Sequence, residues 1–206
     1  MNEIQQVVLA TGNTGKLREF QSLLGDAWKL IPQSEFGISP VKEIGRDFRE
    51  NALLKARNAA KLTALPAIAD DSGLEVDALG GAPGIYSARY AGDTADAMAN
   101  NMKLLTALEN VSPADRGARF RCVVAFVRYA EDRSPVTAEG IWEGSVGMTP
   151  LGDGGFGYDP VFLDGESCRS AAQLGESEKN LRSHRAIAVR QLKSLLLDEL
   201  RPRTSV

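Results

Sequence analysis

Residues 4–24 read IQQVVLATGNTGKLREFQSLL. Residues 4–10 are a β-type run, which the turn-forming segment Thr11-Gly12-Asn13-Thr14-Gly15 interrupts. From there Leu17, Phe20, Leu23 and Leu24 recur at helical spacing, while Lys16, Arg18 and Glu19 stay polar. A strand, a glycine loop and a helix in this order open an α/β chain. Such a loop offers backbone N–H groups and the positive end of a helix dipole to an anion, and Lys16 adds a full charge. It is not the GxxxxGK[ST] phosphate loop, because Gly12 and Gly15 are three apart and Leu17 stands where the hydroxyl belongs. The competing reading is a plain turn with a solvated lysine.

Working outward, a second helix is predicted from about Asp47, an N-cap residue with Glu50 three positions later, through NALLKARNAAKLTA. After Pro66 a brief buried strand, residues 67–69, delivers Asp70 and Asp71 at its end. Residues 80–92 (GGAPGIYSARYAG) read as a long irregular loop. Thr94 is the expected cap of a helix to about Glu109. Residues 118–129 and 136–148 read as an antiparallel strand pair, residues 161–163 as a short strand, and residues 183–200 as a closing helix. The fold class is therefore mixed α/β, a long twisted mixed sheet flanked by helices. We expect one domain over residues 1–200 and a loose tail over 201–206.

The chain has 206 residues, 43% hydrophobic and 25% charged, enough to bury a core without disulfides or metal staples. Its net charge of −3 argues against a partner that is a nucleic-acid polymer or a membrane surface. The two cysteines, Cys122 and Cys168, are far apart and belong to no CxxC or Cys/His cluster. No signal peptide opens the chain and no apolar run approaches the roughly 20 residues that span a bilayer, so a cytoplasmic protein is expected.

The near-neutral sum hides a separation of charge. Residues 70–77 (DDSGLEVD) hold four carboxylates and no basic residue. Adjacent aspartates at the end of an apolar strand are costly unless something positive answers them, and Mg²⁺ favours a few carboxylates together with phosphate oxygens. Alternation along a strand turns Asp70 and Asp71 to opposite faces, so one is free to hold metal while the other shapes the loop or orients water. A surface acidic turn is the plain alternative. Between Glu178 and Arg203 seven Lys or Arg stand against three acids, beside the chain's one histidine, His184. Ser183-His184-Arg185 at a helix start suits an anion or a carbonyl-rich ring, although a lone histidine beside a cap is more often structural. In Phe156-Gly157-Tyr158-Asp159, glycines let two aromatic rings approach a planar ligand, and the carboxylate can accept hydrogen bonds from ring N–H groups. A β-turn with a structural aromatic competes with that reading.

TGNTGK at 11–16, FRENALLKARNAAK at 48–61, ADDSGLEVDALGGAPGIYSARYAG at 69–92, GGFGYDPVF at 154–162 and EKNLRSHRAIA at 178–188 together resemble the inosine triphosphate pyrophosphatase family, whose bacterial members are XTP/dITP diphosphatases. The likeness runs in order over nearly the whole chain. It implies a homodimeric, Mg²⁺-dependent enzyme that hydrolyses dITP, ITP and XTP to the nucleoside monophosphate and pyrophosphate. It also implies a long mixed sheet in two lobes with the substrate in a central cleft. Position by position, Thr11, Gly12, Asn13, Thr14, Gly15 and Lys16 match the triphosphate loop, and Asp71 the catalytic aspartate that accepts a proton and binds metal. Ser72 matches a substrate contact, Lys179 a substrate-binding lysine, and Phe156, Gly157, Tyr158, Asp159, His184 and Arg185 nucleobase contacts. One departure stands out. Where many members carry paired glutamates, this chain reads Lys42-Glu43; Glu43 keeps a carboxylate for the metal, with a cation beside it in sequence.

That resemblance places attack at the α-phosphorus, with charge developing on departing pyrophosphate. Lys16, the loop N–H groups and Mg²⁺ are the expected stabilisers, and Asp71 the expected base. Donors such as His184 and Arg185 would favour the 6-oxygen of hypoxanthine and xanthine over the amino group of adenine. Two rivals are a nucleotide hydrolase of another type, which would release phosphate or cleave diphosphates, and a sensor that binds ITP without consuming it.

Overall fold

A computed structural model describes residues 5–25 and 28–199; the expected tail at 201–206 lies outside them. The described elements run β1 Gln5–Leu9, α1 Thr14–Leu24, β2 Trp28–Pro32, α2 Phe48–Thr63, β3 Ala67–Val76, α3 Ala97–Ala107, β4 Gly117–Val127, β5 Val136–Val146, β6 Phe162–Asp164, α4 Glu176–Arg182 and α5 His184–Glu199. The strands form one six-stranded sheet in the order β2-β1-β3-β4-β5-β6. It is mixed: β1 pairs in parallel with β2 and β3, and β5 pairs antiparallel with β6. Both the class and the mixed sheet agree with the sequence reading. No helix among the described residues is long and apolar enough to cross a membrane.

The chain divides into two compact units. Of the described residues, the first comprises those within 5–71, 123–140 and 185–199. Its strand β1 is buried through Val7, Val8 and Leu9, and α1 contributes buried Phe20 and Leu24. The second comprises residues 72–122 and 141–184. There Phe120, Trp142 and Phe162 gather in an aromatic core with ring centroids 4.5 to 6.1 Å apart. Strand β5 alternates from Val136 to Trp142, with Ala138, Gly140 and Trp142 inward and Glu139 and Ile141 outward, the period of a half-covered strand.

Several elements depart from the sequence reading. Strand β3 does not stop at Ala69 but runs ten residues to Val76, so the acidic stretch up to Glu75 is strand, and only Asp77 begins a 3₁₀ turn. Its carboxylates find cationic partners, which lets an extended segment be buried there without unanswered charge. Within 80–92 a 3₁₀ turn forms at Gly84–Arg89. Helix α3 is capped by Asp96, whose side chain accepts from the Ala99 N–H at 2.8 Å, and not by Thr94. The closing helix is present as expected, α5 at His184–Glu199, but a short helix that the sequence reading did not assign, α4, precedes it, with extended Ser183 (φ −63°, ψ 148°) between the two. The expected cap at Asp47 is present, its carboxylate accepting from the Glu50 N–H at 2.7 Å.

Candidate active site

In the first unit the parallel pairing of β1 with β3 sets the geometry. Leu9 is in register with Ile68, and the Ala10 N–H donates to the Ile68 carbonyl at 2.8 Å. The loop that leaves the carboxyl end of β1 therefore starts beside Asp70 and Asp71. Asn13 caps α1: its side-chain oxygen accepts from the N–H groups of Gly15 at 2.8 Å and Lys16 at 3.1 Å. Two of the N–H groups expected to face an anion are thus already satisfied by the cap, and Gly12, Asn13 and Thr14 form the exposed lip of the loop. What Lys16 presents is its ammonium. Its Nζ donates to Asp70 Oδ2 at 2.9 Å, and the same oxygen accepts from Arg185 Nη2 at 3.1 Å and Nε at 3.3 Å. Arg185 Nη1 also donates to Glu19 in α1. Burial works against an ionised Asp70, but the charges of Lys16, Arg185 and Lys55 outweigh it and hold the carboxyl well below the usual range.

Asp71 has a different set of partners. Its Oδ1 accepts from Lys55 Nζ at 3.0 Å and its Oδ2 from Asn51 Nδ2 at 3.0 Å. Both donors come from one face of α2, at i and i+4. Lys55 Nζ also donates to Glu43 Oε1 at 2.7 Å, so two carboxylates converge on one ammonium. Asn51 Oδ1 accepts from the Gly45 N–H at 2.8 Å, and a β-carbon at Gly45 would lie 2.6 Å from that oxygen. Gly45 therefore lets the backbone close onto Asn51 and carry Glu43 in with it. Burial raises the Asp71 carboxyl above its ordinary value; Lys55 opposes the shift and the like charge of Glu43 adds to it. Burial disfavours the Lys55 ammonium, but Asp71, Asp70 and Glu43 together hold it charged.

Asp71 and Glu43 are the residues here that could hold a magnesium ion, since Mg²⁺ is commonly bound by one or two carboxylates together with waters and substrate phosphate; the point on which both converge in this structure is the Lys55 ammonium. Among the described residues no group of three or more His, Cys, Asp or Glu forms a cage. The cation next to Glu43 in sequence, Lys42, is exposed, whereas Glu43 is half-buried and turned to Lys55.

In the second unit the FGYD segment is a held loop. Asp159 Oδ2 accepts from the Phe156 N–H at 2.8 Å and from Lys179 Nζ at 2.5 Å. Lys179 Nζ lies 5.0 Å from the centroid of the Phe156 ring. Gly155 has φ +75°, and a β-carbon there would lie 2.0 Å from Asp159 Oδ2, so the turn that brings the carboxylate round needs glycine. Tyr158 does not present its ring as the sequence reading expected. It is 5% exposed and donates its hydroxyl to the Ser87 carbonyl at 2.9 Å, anchoring the loop in the core and leaving Phe156 as the half-buried ring of the pair. Gly157 is held through its carbonyl by Asn101 Nδ2 at 3.1 Å. His184 is 6% exposed and stacks on Phe120, centroids 4.7 Å apart and planes 13° apart. Ser72 follows Asp71 in β3 and is half-buried.

The sequence profile of the Ham1 family matches residues 7–195. This chain belongs to the Ham1 family. It is 56% identical over 199 residues to a dITP/XTP pyrophosphatase of Thioalkalivibrio sulfidiphilus, covering 96% of this chain and all of that one. It is 52% identical over 199 residues to the dITP/XTP pyrophosphatase of Escherichia coli K12, covering 96% and 99% of the two chains. Among solved structures, a HAM1 protein from Coxiella burnetii superposes with a TM-score of 0.87 at 47% identity, covering 94% of this chain and 99% of that one. The resemblance drawn from the five motifs is thereby borne out.

Ham1 membership leaves the division of labour to the geometry. Of the sequence-derived residues, Thr11 to Lys16, Glu43, Asp71 and Arg185 fall in the first unit, and Ser72, Phe156 to Asp159, Lys179 and His184 in the second. Three residues of the first unit were not singled out, Glu19, Asn51 and Lys55, and Asp70 was named without a fixed role. The signal for two of them was available. In ENALLKARNAAK, Asn51 and Lys55 share a helical face with Ala52, Ala56, Ala59 and Ala60, all four of which are buried. Polar side chains four apart on an alanine face have been kept inside for a reason.

Proposed function

We propose that this chain hydrolyses dITP, ITP and XTP to the nucleoside monophosphate and pyrophosphate, removing deaminated purines from the nucleotide pool. The observation that carries the proposal is Asp71: a buried carboxylate with a raised proton affinity, bonded to Lys55 and Asn51 and sharing Lys55 with a second carboxylate, in the middle of β3 just past its parallel pairing with β1. The relatives named dITP/XTP pyrophosphatase support the substrate class.

Asp71 takes the proton of the water that attacks the α-phosphorus, and its raised pKa brings it nearer to a useful base than an exposed aspartate. Lys16 and the start of α1 answer the charge that grows on the leaving pyrophosphate, a preorganised electrostatic contribution. Lys55 keeps Asp71 and Glu43 together. Asp71 and Glu43 are the residues that would hold Mg²⁺, which when bound supplies positive charge to the phosphates and lowers the pKa of water. The base is assigned to Ser72, Phe156, Gly157, Asp159, Lys179 and His184, with a donor such as His184 favouring a 6-oxygen over an amino group, while the Arg185 guanidinium is engaged by Asp70 and Glu19. We read the enzyme as a cytoplasmic homodimer whose substrate is a single nucleotide, with neither a nucleic-acid polymer nor a membrane as partner. Both cysteines are free thiols, in keeping with a reducing compartment.

The test is a panel of nucleoside triphosphates with Mg²⁺, assayed for pyrophosphate and for orthophosphate. Pyrophosphate from dITP and XTP, with little from ATP or GTP, is the expected result. Orthophosphate in place of pyrophosphate, or binding of ITP without turnover, overturns the proposal.

A further inference from the structure

Asp70 is buried at the heart of an ion cluster for which the reaction as described has no use. We propose that Asp70 and Arg185 are positioning residues for Lys16: Asp70 parks the Lys16 ammonium in the resting enzyme, and Arg185 keeps Asp70 compensated when that ammonium transfers to the substrate's phosphates. This rests on the reading of Lys16 as a phosphate ligand.

The argument begins with exposure. The side chains of Asp70 and Arg185 are 1% and 2% exposed, whereas that of Lys16 is 17% exposed. Lys16 is the outermost member of the cluster and the one able to leave. Asp70 Oδ2 takes one bond from Lys16 and two from Arg185. Were Lys16 its single cation, moving that lysine to a phosphate would strand a buried carboxylate, which is strongly disfavoured. With Arg185 present the carboxylate keeps two charge-assisted bonds after the transfer. Glu19, 15% exposed, accepts from the far side of the same guanidinium and helps to fix it. The four groups carry two positive and two negative charges, so an arriving anion is answered by a lysine released from a neutral cluster and not by a permanent surplus of cations. Lys55 is held otherwise, between the carboxylates of Asp71 and Glu43.

The experiment is calorimetric titration of tripolyphosphate into the full-length, metal-free protein in EDTA. Tripolyphosphate carries no base, so a residue that acts on the base alone leaves its binding unchanged. Lys16→Met is expected to weaken binding about tenfold or more. Arg185→Met is expected to weaken it about tenfold, and Arg185→Lys, which keeps the charge, to restore it to within about threefold of wild type. Asp70→Asn is expected to tighten it, because the lysine is no longer held. The decisive quantity is the coupling. In the Asp70→Asn background, Arg185→Met should cost less than about threefold, since no carboxylate remains to be compensated.

Equal losses in both backgrounds, weaker binding by Asp70→Asn, or an Arg185→Met variant that binds as wild type does would each overturn the proposal. Urea midpoints establish that each variant is folded. Should Arg185→Met fail to fold, Glu19→Gln takes its place: loss of that carboxylate from the cluster should tighten tripolyphosphate binding, and weakening overturns the proposal. Because this readout needs no turnover, failure of wild type to hydrolyse dITP would remove the proposed function while leaving the calorimetric result separately legible.

Discussion

The two faces of β3 treat the same side chain in opposite ways. Asp70 turns toward α1 and α5, where Lys16 and Arg185 both donate to it, and its carboxyl is held far down the pH scale. Asp71, the next residue, turns toward α2, where an amide and a lysine meet it and that lysine is shared with Glu43; its carboxyl is raised. Both are buried, so burial does not separate them. The separation comes from the charges within reach, three cations for Asp70, two of them bonded to it, against one divided cation and a like charge for Asp71. A strand's alternation thus gives two adjacent residues of one type opposite electrostatic settings, one a lock and the other the proposed base.

The contrast breaks most visibly at Asp71. Asp71→Asn keeps the shape and the acceptor for Lys55 but removes the carboxylate proposed as base and metal ligand. We expect kcat for dITP to fall by about 10² to 10⁴-fold, the span of general acid–base catalysis. The urea midpoint should not fall, because the ionised form is the one the fold disfavours there. A variant that turns over as wild type does would remove Asp71 from the chemistry.

Asp70→Asn should show the reverse emphasis. It leaves Lys16 and Arg185 without their buried carboxylate, and breaking such a pair from one side costs about 3 to 5 kcal/mol. We expect the lower end, about 3 kcal/mol in urea unfolding, since Lys16 can turn to water and Arg185 retains Glu19. A loss below about 1 kcal/mol would mean that the cluster is not the lock described here.

Much of this contrast was legible in the sequence, and the remainder has a physical reason for being hidden. Strand, glycine loop and helix at 4–24, the Asp47 cap and the opposite facing of Asp70 and Asp71 all follow from local rules: period, turn chemistry and alternation. What those rules do not contain is who stands opposite. Lys55 reaches Asp71 from 16 residues away and Arg185 reaches Asp70 from 115, so neither partner has a signature near the aspartates. The same ignorance of partners cut β3 short at Ala69, because four carboxylates look unburiable until their cations are known. It also left Tyr158 as a ring for ligand, when its hydroxyl had an acceptor waiting at Ser87, 71 residues away.

The smallest effect is also the sharpest comparison of the two aspartates, the pH dependence of stability in EDTA. Asp70 is a lowered carboxyl, so its contribution is fully present above the ordinary value of 3.8 and is lost as pH falls toward the folded-state value, which lies far below. The gap in stability between wild type and Asp70→Asn should therefore stay constant from pH 7 to about 5 and narrow below about 4. Asp71 is a raised carboxyl, and the sign reverses. In the folded state it binds its proton more readily than in the unfolded chain, so acidification through its folded-state pKa adds stability. Wild type should gain on Asp71→Asn as pH falls from neutrality through that folded-state pKa to the ordinary value of 3.8, by no more than the roughly 1.4 kcal/mol per pH unit that one proton allows. Urea midpoints of the three proteins at half-unit intervals make the measurement. Parallel curves for wild type and Asp71→Asn across that range would mean that Asp71 is an ordinary carboxylate, and the difference between the two faces of β3 would then rest on Asp70 alone.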